Sequence, residues 1–152
     1  MHHADTRHNG YLESKVLTAT GPRLHLMLIE RALRCANQAQ DSLATHDEIG
    51  GAAALQTTID VVAELLAGVR HAATPINKQL TAVYQFLLRT VAQAYFDQDS
   101  HKITEALRVL EAERTTWQQA CEKLSADASA VPIAAHLVPA SISPSVGISF
   151  QV

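Results

Sequence analysis

The chemistry open to this chain rests on eight histidines and fifteen carboxylates. Their spacing matters because imidazole and carboxylate groups ligate metals and transfer protons. A di-iron centre in a helical bundle needs Glu-x-x-His pairs, and no glutamate here has a histidine three residues later. A phosphorelay histidine typically precedes x-x-Lys-Gly, whereas His71 is followed by Ala-Ala-Thr-Pro. Neither type of site is predicted.

The remaining histidines also have simpler interpretations. Met1-His2-His3 could chelate Cu(II) or Ni(II) in a square plane, but a polar chain terminus is the preferred interpretation. We interpret His25, His46 and His101 as surface or loop residues. The sequence contains no Gly-rich phosphate loop, no Gly-x-Ser-x-Gly and no His-Glu-x-x-His. We therefore expect no catalytic residues, no metal, no cofactor and no enzymatic activity.

Charge and composition restrict the possible partners. The net charge is -3 and no dense Lys/Arg run is present, which argues against nucleic acid. Cys35 and Cys121 lie in helical patterns and are interpreted as reduced thiols. The polar N-terminus lacks the apolar region of a signal peptide, and no stretch approaches the ~18 uninterrupted apolar residues of a membrane span. A cytoplasmic location is the expectation.

Four segments have helical periodicity. The first begins at Thr20, a candidate N-cap, and ends near Leu43. The second runs from about Ala52 to Ala72, the third follows Thr74-Pro75, and the fourth ends near Leu124. Short connections favour antiparallel neighbours, so the predicted fold is all-α, an antiparallel four-helix bundle over residues 20–124. The predicted core stripes are Leu24, Leu28, Ala32, Cys35, Ala39 and Leu43; Leu55, Ile59, Val62, Leu66 and Val69; Ile76, Leu80, Val83, Leu87, Val91 and Ala94; and Ile103, Leu107, Leu110, Arg114, Trp117, Cys121 and Leu124.

Two terminal segments lie outside this bundle. Residues 1–19 are predicted to be an extended, flexible N-terminal segment. Residues 125–152 form a Pro/Ser-rich C-terminal tail that is not expected to continue the last helix. Residues 146–152 alternate apolar and small or polar side chains, as a half-buried strand does. Disorder is the preferred interpretation of the tail, and an extended segment lying in an apolar groove is the alternative.

The first and third helices carry more apolar side chains than one buried face uses. Nine of thirteen residues from Leu24 to Ala36 are apolar, and twelve of seventeen from Leu80 to Phe96. In one interpretation these two helices are the central pair, or their second faces meet in a homodimer. In the other, the second faces form grooves that receive apolar helices of a partner. Periodicity leaves both open.

Four motifs resemble the flagellar secretion chaperone family FliS. Tyr11, Val16 and Thr18-Ala19-Thr20, followed by Leu24 and Met27-Leu28, are similar to the family's N-terminal signature. The segment VYQFLLRTVAQAYFDQD is similar to its Leu-Tyr-Asp-Tyr helix and the following turn. The spacing of Leu110 and Trp117 matches the end of its last helix. The chain differs from the family's motifs at four places: Thr20-Gly21, Ile29-Glu30-Arg31, Gln85 and Ala73-Thr74. These differences affect the expected partner specificity more than the expected fold.

The resemblance implies a cytosolic export chaperone. Such a chaperone binds the disordered C-terminal segment of flagellin, prevents premature polymerisation and assists delivery to the flagellar type III export gate. The resemblance also implies that an N-terminal segment covers a groove in the free protein. A dimeric helical-bundle scaffold or adaptor without flagellin binding is the alternative, and a weak homodimer is compatible with either. The predicted partner-binding residues are Tyr11 and Val16 in the cover, and Leu24, Met27, Leu28, Tyr84 and Phe86 in the groove.

Overall fold

The computed structural model describes residues 21–137, with side chains as far as Asp127. Four helices follow one another without a strand in that part of the chain: α1 (Gly21–Ala44), α2 (Glu48–Val69), α3 (Pro75–Asp97) and α4 (Ser100–Leu137). The predicted all-α four-helix fold is confirmed. The candidate cap Thr20, the segment 1–19 and the alternating residues 146–152 lie outside the described residues.

The chain divides into two compact units, Met1–Gln118 and Gln119–Val152. In the first unit, α1 packs on α2 and α2 packs on α3. Side chains connect α4 to α1 at both ends of the unit: Gln40 donates a hydrogen bond to Thr104 at 2.8 Å, and the ring of His25 lies 3.9 Å from that of Trp117. An early residue of each helix therefore meets a late residue of the other, so the two helices are antiparallel.

The core of the first unit is built mainly around α2. This helix contributes nine buried residues, against five each from α1 and α3. The interpretation in which the first and third helices form the central pair is therefore wrong. In the described part of the chain, α2 alone is long and apolar enough to cross a membrane. Its nine buried residues recur at i, i+3 and i+4 spacings and so lie on one broad face of the helix.

The start of α2 differs from the prediction at Ala52. Asp47 caps the helix by accepting a 2.9 Å hydrogen bond from the backbone N–H of Gly50, so the helix includes both glycines of the Gly-Gly pair. A Cβ on Gly51 would lie 2.9 Å from Leu43 Cδ2. Glycine at this position lets α2 approach the end of α1. The helix therefore begins four residues before the predicted start, at Glu48.

The core stripes also differ from the predicted ones. In α1 the buried face is rotated about the helix axis relative to the predicted stripe, and its residues are Ile29, Ala32, Leu33, Ala36 and Ala39. In α3, Ile76 is 67% exposed and the buried set begins at Tyr84. In α4 the buried residues of the first unit are Ile103, Ala106 and Leu110. Arg114, predicted on that stripe, is half-buried and forms an ion pair with Glu111 at 2.7 Å.

In the second unit, α4 continues to Leu137 and does not end near Leu124. The prediction that the chain could not continue the helix past residue 125 is wrong for residues 125–137. This stretch contains five alanines, which have the highest helix propensity and compensate for Pro132 within the helix. Leu124 is half-exposed.

Candidate partner-binding surface

The N-terminal half of α1 carries large apolar side chains that the core does not absorb. Ile29 and Leu33 face the core, since they belong to the buried i, i+3, i+4 stripe of this helix. Leu24, Leu26 and Met27 are each only half-buried. Leu28 is also half-buried and packs against the core cluster. Of these, Leu24 and Met27 are three residues apart and lie on one side of α1, where they form an apolar row that remains partly exposed beside the filled core face.

The other predicted groove residues lie on two different faces of α3. Tyr84 is completely buried and belongs to the core, whereas Phe86 is 36% exposed. Residues two apart on a helix point about 200° apart, so these two rings cannot share one surface. Tyr11 and Val16 lie outside the described residues. The assignment of all seven residues to partner binding stays a prediction.

A polar network lies beside the exposed apolar row. Tyr84 donates a hydrogen bond from its hydroxyl to Glu113 Oε2 at 3.0 Å, and Trp117 Nε1 donates to the same oxygen at 3.3 Å. His25 Nε2 lies 2.5 Å from the Tyr84 hydroxyl oxygen. Because the only hydroxyl hydrogen of Tyr84 goes to Glu113, His25 must donate from Nε2. The network connects α1, α3 and α4.

Burial sets the protonation states in this network. Desolvation lowers the pKa of His25 from 6.5 to about 4, so the imidazole is neutral at neutral pH. Burial, followed by the negative charge of Glu113, raises the pKa of Tyr84 well above its usual range. Tyr84 therefore remains a hydrogen-bond donor, and the carboxylate of Glu113 has two donors within reach. The arrangement holds three helices together, and it leaves His25 uncharged against the Trp117 ring.

The interpretation of His25 as a surface or loop residue is wrong. It lies one turn before Ile29 on the buried stripe of α1, and the i, i+4 spacing places it over the core. Glu113 and Trp117 continue the stripe of Leu110 in the same manner. The i, i+4 spacing of His25 and Ile29 predicts this position only if the buried stripe of α1 is assigned through Ile29 and not through Leu24. His46 and His101 are exposed, in agreement with the prediction.

No cluster of three or more metal-ligating side chains occurs among the described residues. What residues 21–127 do offer is a filled helical core with apolar side chains left at its surface. This arrangement is typical of proteins that bind other proteins through helix faces. The family model for the flagellar protein FliS matches residues 3–124. The chain belongs to that family, and so it is a flagellar export chaperone. No curated protein matches the chain.

Proposed function

We propose that this chaperone binds the disordered C-terminal segment of flagellin, prevents its premature polymerisation and assists its delivery to the export gate in the cytoplasm. The observation that carries the proposal is the half-buried apolar row of Leu24 and Met27 on α1. Ordering a disordered client costs at least ~2–5 kcal/mol. At ~25 cal/mol per Å2, about 1,000 Å2 of apolar burial would return ~25 kcal/mol gross, which covers that cost and the cost of association.

Phe86 and the N-terminal cover are further proposed contacts of the client. Phe86 has an exposed ring on α3, which a client helix can bury. Tyr11 and Val16 would occupy the groove in the free protein and leave when the client binds. The fully buried Tyr84 would support α1 from within instead of contacting the client. The proposed contact set is therefore narrower than the set predicted from sequence.

The test is calorimetry with a peptide of the flagellin C-terminus. We expect binding with a large negative heat-capacity change, together with a gain of helix. The double variant Leu24→Ser with Met27→Ser should weaken binding by about tenfold or more. Ile76→Ser is the matched control, because Ile76 is an exposed apolar residue of another helix. An equal loss of affinity in the control, or no binding by the unaltered protein, would refute the proposal.

Light scattering separates the chaperone from a scaffold. A monomer that forms a one-to-one complex with flagellin is the expected result. A dimer that is indifferent to flagellin would support the scaffold, with the apolar row of α1 covered by a second copy.

A further inference from the structure

Among the residues that the structure describes, the two most exposed large apolar side chains lie at the end of the bundle opposite to the start of α1. Ile49 is 86% exposed beside the α1–α2 turn, and Phe96 is 79% exposed beside the α3–α4 turn. We call this end, residues 41–49 and 96–100, the acidic pole. It lies about 25 Å along α1 from Leu24 and Met27, at 1.5 Å per residue. It is therefore separate from the surface proposed for flagellin.

A cleft of about 470 Å3 joins the two turns of the acidic pole. Leu43, His46 and Glu48 line one side of it, and Gln98 and Ser100 line the other. The cleft brings the turns that carry Ile49 and Phe96 against each other. Exposed apolar side chains beside a concave surface are the usual composition of a protein-binding site.

The backbone of both turns is well ordered by hydrogen bonds. After α1, the N–H of Asp47 bonds to the carbonyl of Ser42 at 2.8 Å and that of His46 to Leu43 at 3.1 Å. This pair of bonds is a Schellman closure, and His46 takes the left-handed conformation that it requires. Gln98 takes the same conformation after α3. A surface built on such fixed turns binds without a large ordering cost.

The charge of this pole is negative. Five carboxylates lie in it, and two of these, Asp47 and Asp99, accept hydrogen bonds from the N-terminal backbone of the helices that follow. Helix N-termini offset part of their charge. The other three, Asp41, Glu48 and Asp97, take part in no ion pair within residues 21–127, where Lys102 pairs with Glu105. Their field favours a cationic partner.

Charge also excludes the simpler occupants. A second copy docked by the same pole would bring like charges together. Anionic lipid and nucleic acid would be repelled. Residues 138–152 contain no charged side chain, and residues 1–20 contain two acidic and two basic ones, so neither terminal segment brings net positive charge.

We propose that the acidic pole is a second docking surface, which binds a cationic amphipathic helix of a partner protein. The apolar face of that helix would contact Ile49 and Phe96 across the cleft. Its lysine or arginine side chains would approach Asp41, Glu48 and Asp97. This proposal does not depend on flagellin being the client, because its residues lie at the other end of α1.

The probe is a synthetic amphipathic helix of leucine and lysine, titrated into the full chain and followed by NMR. We expect saturable binding, with the largest resonance changes at Ile49 and Phe96. The double variant Ile49→Ser with Phe96→Ser should weaken binding about tenfold, and Ile76→Ser should leave it unchanged. All three side chains are well exposed, so the substitutions spare the core.

The charge contribution has its own test. A matched helix of leucine and glutamate should not bind, and Asp41→Asn with Asp97→Asn should weaken binding of the lysine helix and flatten its salt dependence. Equal binding of both peptides overturns the proposal. So does an absence of binding, an equal loss in Ile76→Ser, or resonance changes centred on Leu24 to Leu28.

Discussion

The most informative single substitution is Tyr84→Phe, because it removes one oxygen from the centre of the polar network. The ring stays in place, so no cavity forms and the core packing is preserved. The change deletes the 3.0 Å hydrogen bond to the carboxylate of Glu113 and the acceptor for His25 Nε2. Both partners then lie in a half-buried site with their hydrogen bonds incomplete.

The expected loss can be worked from these two bonds. A hydrogen bond to a charged group contributes about 1.5–3 kcal/mol and a neutral one about 1 kcal/mol. Water can reach the half-exposed His25 and Glu113, and its hydrogen bonds replace part of the energy of the two lost bonds. The expected net destabilisation is about 2 kcal/mol. For a chain of this size, that corresponds to a decrease in Tm of roughly 4–8 °C.

The assay is urea unfolding followed by circular dichroism. Tyr95→Phe is the matched control, since the described residues supply no hydrogen-bond partner for the Tyr95 hydroxyl, and it should change the unfolding free energy by less than about 0.5 kcal/mol. A double-mutant cycle with Glu113→Gln should give a coupling of about 1 kcal/mol. If Tyr84→Phe were no more destabilising than the control, the network would be incidental to stability.

Two further predictions concern pH and glycine. Burial lowers the folded-state pKa of His25 from 6.5 to about 4, so its neutral form contributes full stability above pH 6.5, and that contribution is lost as the pH falls towards 4. The difference in unfolding free energy between the unaltered protein and His25→Gln should therefore shrink over this range, and a constant difference would show that His25 titrates normally. Gly68→Ala should stabilise α2 by about 1 kcal/mol, because nothing lies within 4 Å of its new Cβ. Gly51→Ala should gain little or no stability, because its new Cβ would lie 2.9 Å from Leu43 Cδ2 and overpack that contact. Equal thermal shifts in the two variants would contradict the close approach of α1 and α2.

Much of the fold could be predicted because helical periodicity and turn residues are local signals. The α3 start at Thr74-Pro75 is an example: Thr74 caps the helix and Pro75 occupies a first-turn position where its missing N–H has no cost. The apolar excess near Leu24 was also visible, because a count of residues requires no knowledge of neighbours. Family motifs over residues 11–124 are local in the same sense.

The alignment of the stripes was decided only in the tertiary structure. A helix with apolar residues on several sides can rotate about its axis at little cost in propensity, and the neighbouring helices select which face is buried. That selection placed Ile29 and Leu33 inside, left Leu24 and Met27 at the surface, and turned His25 towards Tyr84. The role of Gly51 is not predictable from the sequence for the same reason, since it depends on the close approach of Leu43 at the end of α1.

The sequence by itself therefore determined the number of helices, the approximate limits of the first three and the surplus of apolar side chains, because each depends on residues close together in the chain. Only the tertiary structure decided which apolar residues are core and which remain available to a partner. It also decided that the two turns of the acidic pole form one surface. Contacts between residues 59 positions apart, as in His25 and Tyr84, leave no periodic signal in a single sequence.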